Sequence, residues 1–370
     1  MTGAMYAAVS GLKAHMDALN VIGNNISNVN TTAYKATRYT FSEALYTTKR
    51  SGSNGTEQMG GRNPAQVGYG TSIGTIDIDM STKNYTPTGM AMDCMIDGDG
   101  FFIVGDNKLN TGVTSQEQLQ GMSLSRLGNF TFDANGYLVD GNGSLVYGFL
   151  RTPAGDTDEP VLMDTSDENY TEEVSPILTP IRLPMCSITT NEITGGTQTN
   201  IYRPLVQSDA NGSNYVVDAS IEGDDGENSL ERLQPSTVSV DSTGAITAMT
   251  KDEVQIVVGY IAIAQVDSPN GVTHVDGRYY QALGGAGNVH LTTVGGSVTY
   301  VPEEGEDAVS GIAVESSGNT ALVTGGLESS GTDLATEISN MIVIQRGYQA
   351  NTRIVTVTDS MLEELVNMKR

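Results

Sequence analysis

The 370-residue chain has no tryptophan, six phenylalanines, three histidines and two cysteines. Each shortage removes a class of function. Cys94 and Cys186 stand far apart with no CxxC spacing, which argues against a disulfide framework or a cysteine-ligated zinc site. His15, His274 and His290 sit in no HExxH spacing, and no GxSxG, P-loop or dinucleotide-binding fingerprint occurs. Among many carboxylates nothing picks out a glycosidase pair. Catalytic, cofactor-binding and metal-ligating residues are therefore all expected to be absent. No run of 18 apolar residues exists, so no transmembrane helix is expected. The N-terminus lacks a basic segment followed by an apolar one, so no cleaved secretion signal is expected either. Positive charge is scarce: 19 Lys and Arg stand against 44 Asp and Glu, a net charge of −25. Phosphate backbones require Lys and Arg, and this balance argues against nucleic acid as a partner.

What is present is Gly, Ser, Thr, Asn and Asp in the middle of the chain and periodic apolar residues at its ends. The length suits two or three domains, and the turn-rich middle favours β domains over a large α/β core. The acidity is concentrated in that middle. Residues 1–50 carry five basic and two acidic groups, and residues 327–370 four basic and six acidic.

Residues 327–370 read as one long amphipathic helix. Apolar residues recur at sevens (Leu334, Met341, Tyr348, Val355, Leu362), with Ile338 beside them and a second row at Ile344, Ile354, Met361, Leu365 and Met368. At ~1.5 Å per residue the stretch would reach roughly 60 Å. Two apolar rows exceed what one partner would cover. The complement lies at the other end, where Met5, Val9, Leu12, Met16, Leu19, Gly23 and Ile26 follow a 4,3 alternation. Asn20, Asn24, Asn25, Asn28 and Asn30 then mark a helix that carries polar contacts and ends. Asn24, Asn25 and Asn28 are the candidate polar contacts of a packed helical seam, where such groups can fix register.

Three segments here resemble the N-terminal signature of bacterial flagellar rod and hook proteins: Ser10-Gly11-Leu12, Asn24-Asn25-Ile26-Ser27-Asn28 and Thr32-Ala33-Tyr34-Lys35. The usual form has Ala at the position of Ser27 and often Gly at that of Ala33. Gly326-Leu327-Glu328-Ser329-Ser330, Gln345-Arg346-Gly347-Tyr348-Gln349-Ala350-Asn351 and Leu362-x-x-Leu365-Val366-Asn367 are similar to the C-terminal signature of the same family. Ile96–Phe102 and Ser125–Phe130 resemble its β domain. Phe41 and Leu45 have the spacing of a Phe-x-x-x-hydrophobic element that the family's export gate reads, although local packing is an equal role for them.

The rest of the chain fits that frame. Residues 31–70 read as a linker rich in Gly, Ser, Asn and Thr. Strands are expected at Ile76–Met80, Phe101–Val104, Asn129–Phe132, Tyr137–Val139, Leu145–Phe149, Thr237–Val240 and Ile256–Val266, with Gly259 as a bulge. Asp97-Gly-Asp99-Gly100 fails as a calcium loop, since an EF-hand frame puts Met95 and Asp106 at its first and last ligand positions. The frame around Asn135-Gly136 fails likewise, on Thr131 and Asn142. Residues 151–235 hold sixteen Asp and Glu, four Arg and no Lys, and read as an inserted acidic outer domain.

The expected fold is α+β: long, coiled-coil-like N- and C-terminal helices paired together (1–30 and 327–370), with two mainly-β domains strung outward. The inner β domain would comprise 71–150 and 236–326, the outer 151–235. The resemblance implies a structural subunit of the hook, polymerising with itself as a flexible torque-transmitting tube. Its partners would be the distal rod protein, the hook–filament junction protein, the hook cap and the flagellar type III export apparatus. It would lie outside the cell, exported without a cleaved signal, and not insert into a membrane. The alternatives are a distal rod subunit and a secreted acidic hydrolase or calcium-dependent binding module.

Overall fold

The computed structural model describes residues 2–55, 60–106, 113, 115–134, 136–150, 177–183, 185–187, 206–207, 215–216, 230–232, 238–249, 255–300, 312–316 and 320–368. The chain divides into two compact units, residues 1–80 with 330–370, and residues 81–329.

The first unit holds both ends of the chain. Its N-terminal helix spans Thr2–Ser27 and its C-terminal helix Leu334–Asn367. The latter starts where Asp333 accepts hydrogen bonds from the backbone N–H groups of Ala335 and Thr336. Those N–H groups and the Thr336 hydroxyl, which is the largest influence, hold the Asp333 carboxyl below its ordinary range. The helix keeps its form through an unfavourable stretch. Thr352, Ile354, Val355, Thr356, Val357 and Thr358 are β-branched, each costing about 0.5 kcal/mol in a helix relative to alanine.

Residues 31–70 are more than a connection, because they carry three strands: β1 (Thr37–Glu43), β2 (Tyr46–Arg50) and β3 (Ala65–Gly68). β1 pairs antiparallel with β4 (Thr71–Ile78), from Thr37 opposite Ile78 to Glu43 opposite Thr71. β2 pairs with β3. The apolar alternation in these strands is short, Tyr39 and Phe41 in β1, and polar and charged residues make up most of β2. Tyr39 of β1 and Ile73 of β4 pack, together with Leu19 and Ile26, against the cluster of Ala18, Ile22 and Ile344.

The second unit is a β domain. Strand Gln255–Val266 is its spine, pairing antiparallel with Ala245–Met249, Leu145–Leu150, Val289–Thr293 and Phe101–Gly105. The expected bulge lies at Val258, beside Gly259: Ile246 faces Gly259 and Thr247 faces Val257. Gly259 admits the opposite backbone, since a Cβ there would come 2.5 Å from Phe149 O. Cys94, Ile96, Phe102, Val104, Phe130, Val146, Ile261 and Ile263 share one core. Burial and the neighbouring Asp93 push the Cys94 thiol far up, so it is an inert core group.

Ile181 and Leu183 are fully buried in this same core. Residues 178–183 therefore belong to the β domain, although their prolines and acidic flanks read as part of the excursion. Two short antiparallel ladders are described within 184–235, Met185–Ser187 with Leu230–Arg232 and Val206–Gln207 with Tyr215–Val216. The rest of that outer segment lies outside the described residues. A short helix, Gln116–Gly121, was not expected; Ser115 and Gln118 form its capping box.

Arg126 is almost fully buried and holds the turn at 96–99. It donates to Ile96 O at 3.3 Å and Gly98 O at 2.8 Å, and lies over the Phe101 ring. Two residues on, Gly128 carries the backbone so close that a Cβ would sit 2.0 Å from Cys94 O. No side-chain rotation relieves a clash with backbone. Gly128→Ala should destabilise this unit by roughly 2–4 kcal/mol, read as a lower urea midpoint, because the ladder must shift to admit one methyl.

Candidate functional site

The paired terminal helices are the candidate site, and their inward faces set small and polar residues around a short apolar cluster of Ala18, Ile22 and Ile344. On the N-terminal helix the row that faces inward is Ala8, Gly11, His15, Ala18, Ile22 and Asn25, spaced 3,4,3,4,3. Opposite it on the C-terminal helix stand Glu337, Met341, Ile344, Gly347, Asn351, Val355 and Thr358. The helices run antiparallel: Asn25 meets Glu337, Ala18 and Ile22 meet Ile344, His15 meets Gly347 and Gly11 meets Asn351.

Glycine permits the closest approaches, once from each side. A Cβ on Gly11 would come 2.5 Å from Asn351 Nδ2, and one on Gly347 would come 2.8 Å from His15 Nε2. The His15 ring also meets Phe41 edge-on, with centroids 5.5 Å apart. Ser10 Oγ lies 2.9 Å from Ala7 O and 3.2 Å from Tyr69 O, so its single proton is shared there. The helix is thereby fixed to the β3–β4 turn.

Asn25 is fully buried and closes the seam. Its Nδ2 donates to Thr37 O and to Glu337 Oε1, each at 2.8 Å. Its Oδ1 accepts from Thr37 N at 3.0 Å and from the hydroxyls of Thr37 and Tyr34 at 3.1 Å. One amide thus joins the end of the N-terminal helix, the start of β1 and the first turn of the C-terminal helix. Burial first, and then the Glu337 charge, raise the Tyr34 hydroxyl above its ordinary value, partly offset by the bond to Thr37. Asn24 Nδ2 donates to Tyr34 Oη. Asn28 caps locally through Asn24 O, while its own carbonyl accepts from Ser330 Oγ at 2.8 Å.

The residues expected at the polymer core lie mostly outside the seam between these two helices. Met5, Val9 and Met16 are exposed, Leu12 is half-buried, and Leu19 and Ile26 are half-buried against the cluster of Ala18, Ile22 and Ile344. The expected N-terminal row is offset by one residue from the inward row, which is about 100° around a helix. On the C-terminal helix Met341 and Val355 are half-buried towards the seam. Leu334, Ile338, Tyr348, Leu362 and Leu365 are exposed. Large apolar residues drew the sequence reading to the outer rows. The inward row was read only in part: Asn25, Met341, Ile344 and Val355 stood out, whereas Gly11, Ala18, Asn351 and Thr358 carry little hydrophobicity. Phe41 is 43 % exposed and Leu45 84 % exposed, and Phe41 also touches Tyr39 edge-on.

Ala33 holds a left-handed backbone, φ 57°, while almost fully buried. This is the position where the resembled signature often has glycine. Ala33→Gly should leave stability unchanged or raise it by up to about 1 kcal/mol. Asn25→Leu or Asn25→Asp should cost roughly 2–4 kcal/mol in the helical unit, read as earlier loss of far-ultraviolet helical signal on heating. Leucine orphans Thr37 N and Glu337, and aspartate sets a second carboxylate against Glu337.

Comparison with known proteins bears on both ends and on the whole. Residues 5–35 match the flagella basal body rod protein model, and residues 323–368 match the C-terminal model of the flagellar basal body rod FlgEFG proteins. The chain is 30% identical to the flagellar basal-body rod protein FlgG of Bacillus subtilis over the full length of both. It is 24% identical to the flagellar hook protein FlgE of Borreliella burgdorferi, again over both full lengths. Against the hook protein FlgE of Helicobacter mustelae identity is 34% over 152 residues, 41% of this chain and 31% of that one. The small-residue seam, the Asn25 junction and the two terminal signatures thus sit in one frame: the chain belongs to the flagellar rod and hook protein family, structural proteins of the basal body and hook.

Proposed function

We propose that the chain polymerises through the outward faces of its paired helices into a tubular segment of the flagellar axis, and that this segment is the hook. One observation carries the polymer reading. Of the 34 residues in the C-terminal helix, only Ile344 and Thr358 are buried within the chain. Ile338, Ile342, Val343, Ile354, Val357, Met361, Leu365 and Val366 are all exposed. Isolated exposed apolar residues need no explanation, but exposed apolar residues that recur from one end of a helix to the other mark an interface. Copies of the same chain supply the missing cover, with the outer helical faces interlocking as in a supercoiled bundle. Contacts of this kind that do not close on themselves generate a helical filament.

The β domain would form an outer layer. Its acidic, polar surface suits wet contacts that exchange at low cost, so a firmly packed inner wall could bend while transmitting torque. The acidic excursion of residues 151–235 is the sequence feature that supports hook over rod, as the resemblance implies. Full-length similarity to a rod protein favours the second reading, a distal rod subunit. In the hook reading the partners are the distal rod protein below, the junction protein and cap above, and the type III apparatus that exports the subunit. Phe41 and Leu45, near each other in sequence and both well exposed, would be available to that apparatus. No helix among the described residues is long and apolar enough to cross a membrane.

Ile342→Asp and Leu365→Asp alter exposed positions and should leave the folded subunit intact. Each should raise the concentration needed for fibre formation by about tenfold or more in sedimentation. Unchanged assembly would count against the polymer reading. Basal bodies from a deletion strain then decide the place: a complete rod without a hook supports the hook reading, and a rod lacking its distal part supports the other.

A further inference from the structure

We propose that residues 352–358 of the C-terminal helix are a conditionally helical joint, held in form by the N-terminal helix and weaker than the helix on either side. The observations are local and independent of where the protein sits in the flagellum. Six of the seven residues in Thr352–Thr358 are β-branched, Arg353 being the exception. Such side chains lose rotamer freedom against the preceding turn and suit strands better. The following residues, Met361-Leu-Glu-Glu-Leu365, are good helix formers, so the weak stretch is internal and not a fraying end.

The hydroxyls add a second load. Thr352 Oγ1 donates to Tyr348 O at 3.0 Å, Thr356 Oγ1 to Arg353 O at 2.9 Å, Thr358 Oγ1 to Ile354 O at 2.7 Å and Ser360 Oγ to Thr356 O at 3.0 Å. Four hydroxyls thus compete for carbonyls within one short stretch, a pattern that weakens and bends helices. Among the described residues no hydroxyl bonds back in this way between 337 and 347.

The support comes from one side. Asn351 fits against Gly11, Val355 is half-buried, and Thr358 is 8 % exposed. Ile354 and Val357 face outward and are about half exposed. Without the cover of the N-terminal helix, nothing in the stretch's own propensity favours the helical form. It is where a long rod-like helix would yield first when strained.

Hydrogen exchange with fragment resolution on the full-length protein tests this, read as protection factors so that intrinsic chemistry cancels. Amides 353–360 should be protected roughly tenfold less than amides 340–347 and 362–366. Replacing the exposed hydroxyls together (Thr352→Ala, Thr356→Ala, Ser360→Ala) should raise protection in 353–360 and leave 340–347 unchanged. Ile354→Leu with Val357→Leu should do the same by propensity alone. Gly11→Leu, which pushes Asn351 away, should lower protection in 348–358 more than in 362–366. Uniform protection along the helix, least protection outside the stretch, or variants without effect would overturn the proposal. The comparison is internal to one chain and is made on the unassembled subunit, where no neighbour covers Ile354 and Val357.

Discussion

Two helices can approach most closely where neither presents a large side chain, and that constraint organises the first unit. Gly11 and Gly347, one on each helix, receive Asn351 and His15. Ala8, Ala14 and Ala18 line the same face and are nearly inaccessible. The chain thus uses its small residues to hold its own two ends together. Apart from Ile22, Ile344 and the residues packed on them, its large apolar residues remain on the outer faces, where they contribute little to the isolated subunit. This division is the physical basis for reading the helix pair as half of a larger packing arrangement, because burying an outer row of Ile, Val, Leu and Met offers ~1.5–3 kcal/mol per fully covered side chain.

Apolar rows that repeat every seven residues tolerate a slip by one repeat, so they fix register poorly. Point contacts do it better. Asn25 fits one place only, with both amide protons and its oxygen committed to Thr37, Tyr34 and Glu337. Sliding the helices would strand these groups without water, and an unpaired buried polar group costs about 1–3 kcal/mol. The same junction ties β1 to both helices, so the strands inherit the helical register.

How much of this was legible in the sequence depended on which residues carried the signal. The helices announced themselves through Met5, Val9, Leu334 and Leu362, and their pairing followed from matching periods. Which face would pair did not, because Ala, Gly, Asn and Thr interrupt the inward rows and leave only Ile22, Met341, Ile344 and Val355 as their large apolar members. Asn24, Asn25 and Asn28 stood out because asparagine is a poor helix former, and Asn25 indeed reaches the partner helix. β1 and β2 were read as linker because the alternation of Tyr39 and Phe41 is short and a stretch rich in Gly, Ser, Asn and Thr follows it. The β domain was more readable: Ile256–Val266 and Leu145–Phe149 differ from the observed strands by a residue at one end. Leu178, Ile181 and Leu183 escaped because prolines surround them, although all three are fully buried.

The outward rows decide between a subunit that stands alone and one that assembles. A density map of the assembled fibre, at a resolution that shows side chains, is the most direct measurement. It should show Ala18 and Ile22 against Ile344 of the same subunit, with Met16, Ile342 and Leu365 enclosed by neighbouring subunits. A map in which Ile342 and Leu365 face open solvent, or lie against their own chain, would contradict it.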